Sequence, residues 1–285
     1  QTCALPISSS ASATLTGLTS TTAYEYRLTD GEISVATGEF TTAAEIALQN
    51  GSLDGWDGSS PNAATDSKFW DTSNEGAKMG GLTPTQAVTD FVHTQGGKAA
   101  KLESGKVDLM GGIFAAASLY TGSFGSTNIW TQTATVNFGQ SFTARPIALK
   151  GFYKYTPNVI NLVKNVPAGV TIVKDQTLDQ CAIYIALAKK TYTIDNGNQS
   201  TFIDFKNDEN IIAYGELPSG AATEGDGYVE FNIPLKYKNL TDQPTHIIVV
   251  CSSSKYGDYM TGGAGSTLYV DDLSLIYDGT PTIWE

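Results

Sequence analysis

Histidine is nearly missing from this sequence. Only His93 and His246 occur in 285 residues, with no HExxH pattern, so a multi-histidine zinc centre is excluded. Cysteine is almost as scarce: Cys3, Cys181 and Cys251 make an odd count without a CxxC pair, which leaves no disulfide framework to read. Cys181 and Cys251 sit in apolar runs and read as buried thiols; Cys3 lacks the small-residue surroundings of a lipobox. No apolar run approaches the roughly 20 residues of a membrane helix, and the start of the chain lacks a basic region followed by an apolar signal core. GxSxG, P-loop and dinucleotide fingerprints are absent too, which removes the usual marks of serine hydrolases and nucleotide enzymes. Charge is sparse and one-sided. Charged residues make up 16% of the chain, with 29 Asp and Glu against 17 Lys and Arg, so the formal net charge of -12 repels a phosphate backbone and argues against nucleic acid as a partner.

What is abundant is strand-forming and turn-forming material. The sequence holds 29 Gly and 14 Tyr, and its apolar fraction of 41% is enough to bury a sizeable core in a chain of this length. Strand-like segments recur at Ala99–Glu103, Thr131–Phe138, Ala148–Tyr155, Val170–Val173, Cys181–Ala188, Thr201–Phe205, Tyr228–Leu235, Thr245–Cys251 and Thr267–Tyr277. Their number predicts two packed sheets, an all-β chain folded as one large sandwich. In Tyr228-Val-Glu-Phe-Asn-Ile233 the alternation puts Val229, Phe231 and Ile233 on one face, and Tyr228, Glu230 and Asn232 on the other.

The last of these strands breaks phase. Leu268 and Val270 keep period two, but the next apolar positions are Leu273 and Leu275, and the three-residue step predicts a bulge at Asp271-Asp272. Two adjacent carboxylates there call for solvent, donors or a cation. This segment, Leu268-Tyr-Val-Asp-Asp-Leu-Ser-Leu275, together with Asn50-Gly-Ser-Leu-Asp-Gly-Trp56 near the front, resembles the closing and opening strands of jelly-roll carbohydrate-binding modules. The resemblance implies a structural calcium shared by Asp54 and Asp271, although that family more often has Glu at the first position.

A closer resemblance covers most of residues 45–285. Lys68-Phe-Trp-Asp-Thr-Ser-Asn74, Gly97-Lys-Ala-Ala-Lys-Leu-Glu103, Leu119-Tyr-Thr-Gly122, Phe142-Thr-Ala-Arg-Pro146, Gly151-Phe-Tyr-Lys-Tyr155 and Ser252-Ser-Ser-Lys-Tyr-Gly-Asp-Tyr259 are similar to the putative carbohydrate metabolism domain. That family implies a jelly-roll sandwich in a cell-surface or secreted protein of Bacteroidetes-type bacteria, often following an immunoglobulin-like domain. Leu18, Tyr24 and Phe40-Thr41-Thr42 resemble the closing part of a fibronectin type III domain, which at about 100 residues would be far longer than this segment. The expected organisation is thus a partial fibronectin-like or immunoglobulin-like segment at 1–43 and a jelly-roll domain at 44–285.

Sugar rings stack their apolar faces on Trp and Tyr, while amides, carboxylates and Lys fix their hydroxyls. Trp56, Trp70 with Asn74, the run Tyr153-Lys154-Tyr155, and Lys255 with Asp258 are the candidate ligand-binding residues on that chemistry. Most single aromatics in such a chain belong to the core. Trp56 and Trp70 stand apart because polar, Gly- or Asn-rich stretches surround them. Glycoside hydrolysis would require two carboxylates about 5–10 Å apart, and Asp71, Glu75, Glu103, Asp179, Glu216, Glu230 and Asp258 are all available, with nothing in the sequence to choose a pair. The sequence therefore predicts an extracytoplasmic, non-catalytic carbohydrate-binding protein, lipid-anchored if at all through a segment outside this chain. A glycoside hydrolase and a structural adhesin are the alternatives.

Overall fold

The computed structural model describes residues 15, 18–108, 112–128 and 130–284, so Cys3 and most of Ala13–Leu18 lie outside the described residues. The chain opens with an antiparallel hairpin, β1 (Ala23–Asp30) and β2 (Ile33–Thr41), whose residues are almost all exposed. Tyr24 stacks on Phe40 at 5.7 Å, and its hydroxyl accepts from the Thr19 amide at 2.8 Å. The remaining elements are β3 (Trp70–Thr72), the single turn α1 (Asn74–Ala77), β4 (Thr85–Val88), β5 (Ala99–Glu103), β6 (Gly105–Val107), β7 (Ile113–Ala115), β8 (Ser118–Asn128), β9 (Thr133–Phe138) and β10 (Gln140–Ser141). They continue with β11 (Ala148–Thr156), β12 (Ala182–Ala188), β13 (Tyr192–Asp195), β14 (Ile211–Glu216), β15 (Val229–Pro234), β16 (Lys236–Tyr237), β17 (His246–Ser252), β18 (Thr267–Ile276) and β19 (Thr282–Ile283).

Two sheets carry the architecture. Ten strands form the larger, in the order β13-β9-β8-β17-β12-β14-β16-β19 with β3 on β8 and β10 on β17; five form the smaller, in the order β15-β11-β18-β5-β4. The chain crosses between them repeatedly: β5 to β8, β10 to β11 and back to β12, then β14 to β15, β16 and β17 to β18. That winding produces the expected jelly-roll sandwich. Side chains from both inner faces meet in one core, in which Leu102, Leu119, Leu149, Ile183, Ile185, Leu187, Ile233, Ile247, Val249 and Leu268 are all essentially without solvent exposure. Each such side chain contributes roughly 1.5–3 kcal/mol by leaving water. Phe231 and Ile233 point inward as the alternation requires, with Glu230 and Asn232 exposed; Val229, at the strand's start, keeps 37% of its surface.

The larger sheet departs from simple alternation. β12 and β17 are apolar on both faces, and a second cluster containing Tyr120, Phe138, Ala186, Ala188, Ile248 and Val250 lies on the side away from the sandwich core. Part of its cover is the segment 202–205, where Phe202, Ile203 and Phe205 pack on the sheet. That segment, expected as a strand, begins as a 3₁₀ turn capped by Asn198 and continues as a loop. Val170–Val173 is likewise not a strand: Thr177 accepts and returns its polar contacts locally, and Val173 stays 46% exposed, because β propensity without a neighbouring edge has nothing to pair with.

The bulge in the closing strand is present. Ser274 pairs with Lys150 and Asp271 with Phe152, so Asp272 and Leu273 together oppose Gly151, and Asp272 takes a left-handed backbone with φ of 49°. The extra residue thus sits one place later than the apolar spacing suggests, because Asp271 keeps its place in the ladder. Freed from that ladder, the Leu273 amide donates to the Gly51 carbonyl at 2.7 Å, which joins the opening segment to the closing strand. A Cβ at Gly51 would overlap the Leu273 carbonyl oxygen. Replacing Gly51 by Ala is expected to destabilise the fold by about 1–3 kcal/mol, the usual cost of overpacking against backbone; denaturant unfolding measures it, and a midpoint equal to wild type would show that this contact is dispensable.

Candidate functional site

The outer face of the larger sheet carries a cavity of about 200 Å³. Its floor comes from the period-two alternation of three neighbouring strands: Tyr120 of β8, Tyr184 of β12 and Val250 of β17 point outward while Leu119, Ile183, Val249 and Cys251 fill the sandwich core. Several elements supply its walls. Ala77 and Met79 come from the turn after β3, Val107, Ile113 and Phe114 from the β6–β7 hairpin, Phe124, Thr127 and Gln132 from β8 and its turn into β9, and Lys255, Asp258 and Met260 from the turn after β17. Most of this wall is apolar.

Among the polar side chains lining the cavity, those of Tyr184, Asp258 and Lys255, and also those of Ser118, Thr127 and Gln132, make no hydrogen bond within the described residues. Solvent reaches Asp258 through the cavity mouth, but protein replaces its hydration on the other sides, and this desolvation pushes its carboxyl up to about 6. Burial, and next the charge of Asp258, pushes the Tyr184 phenol well above its ordinary range, so it acts as a neutral donor and acceptor. The neighbouring Tyr120 hydroxyl is spent on the Thr72 carbonyl at 3.3 Å.

The turn that presents Lys255 and Asp258 is held from beneath by a buried polar cluster. Asp179 is 1% exposed and accepts from the Ser254 hydroxyl at 2.6 Å, the Gly263 amide at 2.8 Å, the Ser266 hydroxyl at 3.1 Å and the Gln180 amide at 2.8 Å. Its carboxyl is nonetheless raised, because desolvation exceeds these four bonds. Ser104 joins the cluster through Ser253 and Ser254 at 2.7 and 2.9 Å, and the Tyr155 hydroxyl donates to the Ser253 carbonyl at 2.9 Å.

The structure separates the residues singled out from the sequence. Lys255 and Asp258 share the cavity. Trp70 does not: it is wholly buried, donates through Nε1 to the Gln49 carbonyl at 2.7 Å, and offers no ring face to a ligand. Asn74 is consumed by the Thr85 backbone, accepting at 2.9 Å and donating at 2.8 Å. Tyr155 is buried in the core, and Tyr153 is partly buried against it, edge-on to Phe231 at 5.8 Å. Those two tyrosines do share a face with Lys154 opposite, but the face is the inner one; Lys154 reaches instead to the carbonyls of Thr223 and Gly225. Trp56 also packs on the core and donates to the Leu53 carbonyl. A polar neighbourhood in sequence therefore marked loops that tuck their aromatic inward.

Asp54 and Asp271 both grip one loop. Asp54 Oδ1 accepts from the Lys98 amide at 2.7 Å, and Asp271 accepts from the His93 and Asp272 amides at 2.7 and 2.9 Å. Desolvation raises the Asp271 carboxyl. Among the described residues, no three His, Cys, Asp or Glu side chains gather into a metal-binding group.

Residues 45–276 match the family model described as the putative carbohydrate metabolism domain. The chain belongs to that family. No curated protein matches it. Among solved structures, a putative glycoside hydrolase from Bacteroides thetaiotaomicron superposes with a TM-score of 0.61 at 22% identity, over 91% of this chain and 80% of that chain. A second putative glycoside hydrolase, from Bacteroides vulgatus, gives a TM-score of 0.55 at 25% identity, over 75% of this chain and 88% of that chain. Among the described residues no helix is long and apolar enough to cross a membrane.

In this family member the cavity residues that sequence reasoning passed over are Tyr184, Phe124 and Phe114, with the exposed Trp130 next to cavity residues in sequence. Tyr184 looked like core because its whole strand is apolar. Trp130 keeps 87% of its surface exposed at the β8–β9 turn, between the cavity residues Asn128 and Gln132. Only an isolated tryptophan in a Thr- and Asn-rich turn signalled it. Asp258 leads to a test of the electrostatics. Folding raises its carboxyl from an ordinary 3.8 to about 6, so the ionised form destabilises the folded chain above pH 6, and the penalty disappears below about pH 4. Asp258→Asn is expected to raise the melting temperature at pH 7.5, with the gain shrinking to nothing toward pH 4; a pH-independent difference would contradict the desolvated carboxylate.

Proposed function

We propose that this chain is a carbohydrate-binding protein that works outside the cytoplasm and seats its ligand, without cleaving it, in the cavity on the outer face of the larger sheet. The observation that carries this reading is the composition of that cavity: aromatic floor and walls with Tyr184, Asp258 and Lys255 as available polar groups, and Asp258 as the one carboxylate among the described residues lining it. Sugar binding uses stacking and a few fixed polar groups, whereas hydrolysis uses two facing carboxylates. Membership of a carbohydrate-named family supports the substrate class. The names of the two Bacteroides structures and the raised carboxyl of Asp258, which suits a general acid, favour a glycoside hydrolase as the second reading.

The same reading takes residues 1–43 as the closing part of a fibronectin-like unit, with support from the Tyr24 bond to the Thr19 amide. It also keeps a structural calcium shared by Asp54 and Asp271 as a proposal, supported by the free second oxygen of Asp54 beside the 94–98 loop. The donors on Asp271 already offset much of the need for a cation, so the effect of removing it is expected to be modest: chelator should lower the melting temperature by a few degrees and added calcium restore it. An unchanged melt removes the metal.

The central test is a polysaccharide and oligosaccharide panel read for both binding and product. Saturable binding without turnover is expected. Trp130→Ala should weaken that binding about 2–10-fold, the size of one lost stacking contact, while leaving thermal stability unchanged because the ring is so exposed. Product release that is abolished in Asp258→Asn would instead establish the hydrolase, and no binding to any member would overturn both sugar readings.

A further inference from the structure

The cavity's unspent polar groups are unevenly placed. Tyr184, Lys255 and Asp258 lie along β12 and the turn after β17, whereas the opposite wall is built from Met79, Val107 and Ile113. Ser118, Thr127 and Gln132, on β8 and its turn into β9, are also free, whereas other polar side chains of the lining are already used. The Asn196 amide accepts from the Ala134 amide at 2.9 Å and donates to the Met260 sulfur, and the Ser254 hydroxyl is held by Asp179 at 2.6 Å. An ordinary hexose presents hydroxyls around its whole ring and at C6. Any hydroxyl pressed against Met79, Val107 and Ile113 would lose its water without a partner, at about 1–3 kcal/mol each.

Volume adds a second restriction. Pockets for drug-sized ligands run to ~300–1,000 Å³, while this cavity is about 200 Å³. It suits the end of a chain, not a stretch of it.

Resting on the carbohydrate-binding reading above, we propose that the cavity selects a chain-terminal sugar bearing a methyl group where the common hexoses bear a free hydroxyl, its hydroxylated edge on Tyr184, Lys255 and Asp258 and its methyl on the Val107 wall. A 6-deoxy sugar and an O-methylated sugar present this same chemistry.

Matched pairs test it. Titration calorimetry of the full chain with fucosides against the corresponding galactosides, rhamnosides against mannosides, and O-methyl hexosides against their unmethylated parents compares ligands that differ by one group. The methyl-bearing member of at least one pair is expected to bind about 10–100-fold more tightly than its partner, the discrimination an apolar wall achieves. The pair that responds identifies which source of methyl is used. Val107→Thr, nearly isosteric, places a hydroxyl in the wall and should cut that preference several-fold while the methyl-bearing ligand still binds. Equal or tighter binding of the hydroxylated partners overturns this proposal alone, as does binding of other glycans with none of the pairs. Absence of any glycan binding overturns it together with the function it rests on.

Discussion

Two strands that are apolar on both faces govern this molecule. β12 and β17 run side by side through the middle of the larger sheet, and their inner residues close the sandwich against the smaller sheet. Their outer residues demand a second cover, because an apolar sheet face of that size is costly to leave in water. Loops and short hairpins provide it: the segment 202–205 over one part, and α1, β6–β7, β8–β9 and the 254–260 turn around another. Short irregular elements cannot tile a sheet as a second sheet does, so the cover leaves a hollow over Tyr184. The cavity is thus a consequence of how the outer face is roofed.

How far the sequence carries depends on whether a feature is set locally or by what folds over it. Strand positions and inward faces followed from period-two patterns, as at Phe231 and Ile233. The three-residue step from Val270 to Leu273 disclosed the bulge within one residue, because a phase break in a half-buried strand has no other remedy. Cys181 and Cys251 are free and buried as their runs imply, with desolvation raising both thiols and the first to about 12. Trp70 and Asn74 misled because the loop context that made them look exposed is itself folded under: Asn62 binds the Phe69 and Trp70 amides at 2.9 and 3.0 Å and turns that segment inward. Tyr153 and Tyr155 share a face in both readings, but a pattern of alternation does not say which face meets the second sheet.

The fold treats the two carboxylates near the cavity differently. Asp179 and Asp258 are both raised by desolvation. Asp179 accepts four hydrogen bonds, two of them from serines that lie on the 254–266 segment, so its burial is compensated and it fixes that segment in place. Asp258, carried on the same segment, receives none from the described residues. Partial desolvation of a carboxylate without protein donors lowers stability, and such perturbed groups cluster at functional sites. The scaffold therefore directs its hydrogen bonds to holding the turn and leaves the carboxylate that the turn carries without protein partners among the described residues.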